Sequence, residues 1–67
     1  MDVYIIDGGY VQGRKVGQGD TVSASFKIAI AALNEARHPG PFSRVTDSNV
    51  VWIDDAEGLP VGILVRT

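Results

Sequence analysis

Five of the chain's eight glycines fall between Gly8 and Thr21, in GGYVQGRKVGQGDT, with Arg14 and Lys15 among them. Glycines around a basic pair have the composition of a phosphate cradle, in which backbone amides and a lysine surround the anion. The spacing departs from that use. In the phosphate-loop order of glycine, four residues, glycine, lysine and a hydroxyl, Arg14 stands at the lysine position and Lys15 at the hydroxyl position, and no helix opens there to offer its amides. The dinucleotide-binding order fails at Val22, where a third glycine belongs, and the chain is too small for the sheet that order serves. The glycines read instead as two turns that need positive φ.

Asp54, Asp55 and Glu57 form a second cluster of chemically able side chains. Calcium loops place oxygen ligands at alternating positions around a glycine, whereas Ala56 interrupts this group and Gly58 only follows it. As an acid/base pair the carboxylates would need a cleft around a substrate, and 67 residues leave little material to build one. His38 is the single histidine and cysteine is absent, so neither a histidine relay nor a thiolate zinc site can be assembled from this chain alone. His38, Ser43 and Asp47 are the residue types of a triad, but they fall in or near a connection with no scaffold to fix them. Beside a helix C-terminus, His38 has the simpler use of complementing the helix dipole. The sequence therefore assigns no catalytic, cofactor-binding or metal-ligating residue and is read as non-enzymatic.

The elements that must position these side chains follow from periodicity. Val3 to Ile6 is a short β-branched and aromatic run, and Asp7-Gly8-Gly9 is a hairpin turn into a second strand, Tyr10 to Val16. Gly17-Gln18-Gly19 breaks the pattern, after which Asp20, Thr21 or Ser23 caps a helix from Val22 to Arg37. Val22, Phe26, Ala29, Ile30, Leu33 and Ala36 make its core stripe, and Ser23, Lys27 and Asn34 its wet one. Ala24, Ile28 and Ala31 are left on a flank, as a patch of small residues around an exposed isoleucine. His38-Pro39-Gly40-Pro41 ends the helix. Phe42 to Thr46 reads as a short strand, Asp47-Ser48-Asn49 as a turn, and Val50 to Asp54, with Trp52, as a nearly continuous apolar strand. Asp55-Ala56-Glu57-Gly58 closes a second hairpin onto Leu59 to Val65, where Pro60 suits the first position of a strand or a sheet edge. The expectation is one α+β domain over residues 1–67: a small antiparallel sheet of four to five strands packed on one helix, in the order β-β-α-β-β, with room for an extra short strand after the helix.

Composition narrows the function classes. A net charge of −2 and a pI near 5.0 disfavour direct nucleic-acid binding through a basic face. An apolar fraction of 45% with 21% charged residues is that of a globular domain. The start, MDVYIIDGGY, has no basic n-region and only a four-residue apolar run, which reads as neither an export signal nor a membrane anchor. With no cysteine to protect, a cytoplasmic setting is expected.

This order of features resembles the small phage-encoded anti-CRISPR proteins that inhibit type I surveillance complexes, chains of similar length with a strand pair, an alanine-rich helix and a closing hairpin. The residues carrying the likeness are Asp7-Gly8, Val11, Gly13-Arg14, Asp20, Lys27 in the first turns of the helix, and Ser48-Asn49 followed by Val51. The resemblance implies a non-enzymatic inhibitor of phage or mobile-element origin, working without a cofactor in the cytoplasm of a bacterial host, that binds a Cas subunit and blocks target DNA or nuclease recruitment. A second likeness is to the HicB type of antitoxin, whose small α+β domain masks a toxin RNase; it is carried by DGGYV at Asp7 to Val11 and GDT at Gly19 to Thr21 before the alanine-rich helix. The proline-rich PDLPG-like segment of that family is missing between the two motifs.

Acting by contact places the function on surface side chains. Tyr10, Arg14 and Lys15 on the second strand, Ile28 on the helix flank, and Asp54, Asp55 and Glu57 at the hairpin tip are the partner-binding candidates, because aromatic and arginine anchors dominate interface energies. Two further readings stay open: a nucleic-acid-binding module using Arg14, Lys15, Arg44 and Arg66, and a homodimer in which the strand edge near Pro60 or the Ile28 flank pairs with its copy.

Overall fold

The computed structural model describes residues 1–6 and 13–66. Its elements, in chain order, are β1 (Asp2–Ile5), β2 (Arg14–Gln18), α1 (Val22–Glu35), β3 (Ser43–Asp47), β4 (Val50–Asp54) and β5 (Pro60–Val65). The five strands make one antiparallel sheet in the order β2-β1-β5-β4-β3. The helix lies on one face of it, over β1, β2 and β5. This is the expected α+β architecture, with the additional strand after the helix realised as β3. Because β5 inserts between β1 and β4, the pairing Asp2↔Val65 ties the two ends of the chain together.

Strand alternation decides which side chains meet the helix. Val3 and Ile5 of β1, Leu64 of β5, and Val51 and Ile53 of β4 share a face by register. They are buried with Val61 and with Ala29 and Leu33 of α1 to form the core. Val22, Phe26 and Ile30 border it half-buried, whereas Ala36 is exposed and lies outside the stripe expected to include it. Ser23, Lys27 and Asn34 are exposed, as the wet stripe requires.

Both helix ends have local causes. Thr21, extended at φ −129 and ψ 166, is the N-cap, and its Oγ1 accepts the Ala24 N–H at 3.1 Å. At the other end Arg37 adopts φ 62, the Arg37 N–H donates to Asn34 O at 3.1 Å, and the His38 N–H donates to Leu33 O at 2.9 Å. That pair of bonds is a Schellman closure, so α1 stops at Glu35 rather than Arg37, with Pro39 barring continuation.

The second strand is displaced from its expected position. It runs Arg14–Gln18 rather than Tyr10–Val16, and Gly17-Gln18 belong to it instead of to a turn, because β1 pairs Val3 with Gly17 and Asp2 with Gln18. The register slips at Val16, which makes a bulge. Gly17 is in the strand for a steric reason: a Cβ there would lie 2.8 Å from Ile28 Cγ2, so only glycine lets the helix approach this closely. Tyr10 and the Asp7-Gly8-Gly9 turn lie outside the described residues. The strand expected at Phe42 to Thr46 is shifted by one residue, and Phe42 packs against the core instead. Val50–Asp54 is found as expected. Pro60 is the first residue of β5, the position where its missing N–H costs least, but β5 is the central strand and offers no edge to a second copy.

Candidate binding surface

The sheet face opposite α1 is where the unabsorbed apolar side chains collect. Register places Tyr4 beside Ile63, Ile63 beside Trp52, and Trp52 beside Val45. These four residues form one continuous row across β1, β5, β4 and β3, about 14 Å long at the usual strand spacing. Tyr4, Ile63 and Trp52 are half-buried by their own neighbours, and Val45 is 46% exposed. Among the described residues no second helix covers this face. One helix is roughly 10 Å wide and shields two or three strands on one side only, so the described elements leave the row on the other side open.

Charge frames the row. Lys15 pairs with Tyr4 in register, at the β2 end, and its ammonium lies 3.2 Å from Asp2 Oδ1. Asp2, Asp47 and Asp54 share the row's face by alternation, Asp47 at the outer end of β3 and Asp54 at the top of β4. The ion pair occupies Lys15 and Asp2 with one another, which leaves the far end of the face acidic at Asp47 and Asp54.

Arg14, Lys15 and Ile28, expected as partner-binding candidates, are brought together at the opposite edge. An open groove of about 530 Å³ runs between β2 and the C-terminal half of α1, with Val16, Ile28 and Ala31 on its floor, Arg14 on one wall and Glu35 on the other. Lys15 borders both this groove and the open sheet face. Ile28 is not the exposed centre of a patch: it is half-buried over Gly17, and only Ala24 and Ala31 of that flank are exposed. Arg44 and Arg66 lie elsewhere. The Arg44 guanidinium stacks 5.1 Å from the Phe26 ring centroid, and Arg66 stands near the helix N-terminus beside Asp20 and Thr21. The four basic residues considered for nucleic-acid contact therefore do not make one patch.

The acidic group divides by role. Asp55 Oδ1 accepts the N–H groups of Glu57 and Leu59, both at 2.9 Å, while its own N–H and C=O bond Leu59 O and the Gly58 N–H. Asp55 thus builds the turn, with Gly58 at φ 84 completing it. Glu57 projects from the tip, next to Leu59, which is 58% exposed. Asp54 belongs to the sheet face instead. Among the described residues no three histidine or acidic side chains are grouped to hold a metal ion, and no helix is long and apolar enough to cross a membrane.

Tyr4, Trp52, Ile63 and Val45 were not singled out by sequence reasoning, although a signal for them exists. Val3 to Ile6, Val50 to Ile53 and Val61 to Val65 are apolar at consecutive positions, which makes both sheet faces apolar, while the chain supplies one helix. No protein-family model, curated protein or solved structure matches the chain.

Proposed function

We propose that this chain is a non-enzymatic inhibitor that docks the open sheet face onto a lysine- and arginine-rich surface of a larger nucleic-acid-processing complex. The observation that carries the reading is the row Tyr4, Ile63, Trp52 and Val45, apolar along its length and bordered by Asp47 and Asp54. A tryptophan and a tyrosine in one row supply the anchors on which interface energy concentrates. The acidic border supplies steering and orientation toward a cationic partner. Nucleic-acid channels carry such cationic surfaces because they neutralise phosphates, so an acidic-rimmed binder seated there excludes the nucleic acid by occupancy.

The anti-CRISPR likeness gives this reading a concrete partner, a Cas subunit of a type I complex in the bacterial cytoplasm, with the phage as beneficiary. The test is pull-down of purified type I surveillance complexes by the tagged chain, with and without target DNA, alongside phage plaque counts in a CRISPR-active host. Binding that target DNA displaces, with rescued plaques, is the expected result. Absence of both binding and rescue overturns it. The same acidic-rimmed row also suits a basic toxin RNase, as the antitoxin likeness implies. Co-purification with the product of an adjacent toxin gene would select that partner.

A further inference from the structure

The two edges of the sheet are built differently. At β2 the ladder is broken by the bulge at Val16 and the strand carries the like-charged pair Arg14-Lys15, both usual means of blunting an edge. At β3 the pairing with β4 is regular through all five residues, none is proline, the two charged ones, Arg44 and Asp47, are of opposite sign, and every one is exposed. We infer that β3 pairs antiparallel with β3 of a second copy, across a two-fold axis at Val45, to make a continuous ten-stranded sheet.

Parity and side-chain chemistry both select this register. The two-residue connection Ser48-Asn49 makes Asp47 and Val50 a hydrogen-bonded pair. Alternation then points the backbone of Asp47, Val45 and Ser43 toward β4 and turns the N–H and C=O groups of Arg44 and Thr46 to the open edge. Centring the axis on Val45 sets Arg44 opposite Thr46 of the second copy, and the reverse, so the outward groups of both copies close four backbone hydrogen bonds. Ser43 falls opposite Asp47 of the second copy, where a hydroxyl meets a carboxylate. No like charges face each other, as self-pairing requires. Val45 meets its own copy on the open face, joining two apolar rows into one of eight side chains, about 34 Å from Tyr4 to Tyr4. The dimer depends on this chain alone and stands whether or not the proposed partner is found.

The axis makes a register-specific cross-link available, because the chain has no native cysteine. Facing residues at a non-hydrogen-bonded position have Cα atoms about 4.5 Å apart, within disulfide reach, whereas Ser43 lies about 14 Å from its own copy. Val45→Cys should oxidise to a disulfide dimer at least tenfold faster than Ser43→Cys at the same concentration, and Ser43→Cys/Asp47→Cys should recover the fast rate. Thr46→Pro removes an outward N–H without touching the β4 ladder, and should convert a concentration-dependent dimer in sedimentation to monomer, with a circular-dichroism melt that matches the wild type's at dilutions where the wild type is monomeric. Equal oxidation rates for Val45→Cys and Ser43→Cys, or a wild-type chain that sediments as monomer up to millimolar concentration, would overturn the inference.

Discussion

Gly17 and Ile28 provide a quantitative test of how α1 sits on β2. Alanine at position 17 would put a methyl group 2.8 Å from Ile28 Cγ2 and 3.9 Å from its Cδ1. Overpacking of this kind costs about 1–3 kcal/mol, and replacing a strand glycine returns about 0.5–1 kcal/mol, so Gly17→Ala should lose about 1–2 kcal/mol. Ile28→Ala deletes a half-buried side chain and should lose about 1–2.5 kcal/mol, roughly half the cost at full burial. Independent effects would sum to about 2–4.5 kcal/mol. Ile28→Ala also removes the colliding Cγ2, however, and the new methyl at 17 fills part of the space. The double variant should therefore lose only about 1–2 kcal/mol, a favourable coupling of about 1–2.5 kcal/mol. Urea unfolding followed through Trp52, the single tryptophan, reads all three variants. Additivity within about 0.5 kcal/mol would refute the contact and restore Ile28 to an exposed flank.

Arg37→Gly should stabilise by about 1 kcal/mol and raise Tm by roughly 4–8 °C, since Arg37 holds φ 62 at the position where helices prefer glycine; a lower Tm in a thermal melt would contradict the closure described. Asp55→Ala should cost about 1–2 kcal/mol by orphaning the Glu57 and Leu59 N–H groups, while Asp55→Asn, which keeps an acceptor oxygen, should cost less than half as much in the same urea assay. Ser25 is fully buried and its Oγ has no hydrogen-bond partner, so Ser25→Ala should be stabilising by about 1 kcal/mol; a destabilised variant would mean that the hydroxyl makes a bond in solution.

The fold was legible where local rules and tertiary packing agree. Val50–Asp54 and the Asp55-to-Gly58 turn follow from β-propensity and Asx chemistry, and the start of α1 follows from a capping threonine. Sequence and structure diverge where a glycine serves a neighbour rather than a turn. Gly17 looks like a breaker in sequence, but it is needed in the strand because α1 passes above it, and no local pattern records that approach. Ile28 differs from its expected exposure for the same reason, since the helical wheel shows its angle but not the missing side chain opposite. The end of α1 came two residues early because Arg37 took a left-handed conformation that a glycine would have advertised. The apolar row stayed hidden because it exists only in the register: Tyr4, Ile63, Trp52 and Val45 are dispersed in sequence and adjacent only once β5 inserts between β1 and β4.

Docking of the open sheet face onto a cationic protein surface is measured most directly as the affinity of the purified chain for a type I surveillance complex, compared with Trp52→Ala and Asp54→Lys. Trp52→Ala, shown by its melt to be folded, should weaken binding at least tenfold, as the loss of a central anchor of about 2 kcal/mol or more requires. Asp54→Lys should slow association and flatten its salt dependence, while Glu57→Ala, at the far tip, should leave binding unchanged. An affinity indifferent to Trp52, or no binding by the wild-type chain, would contradict docking through this face.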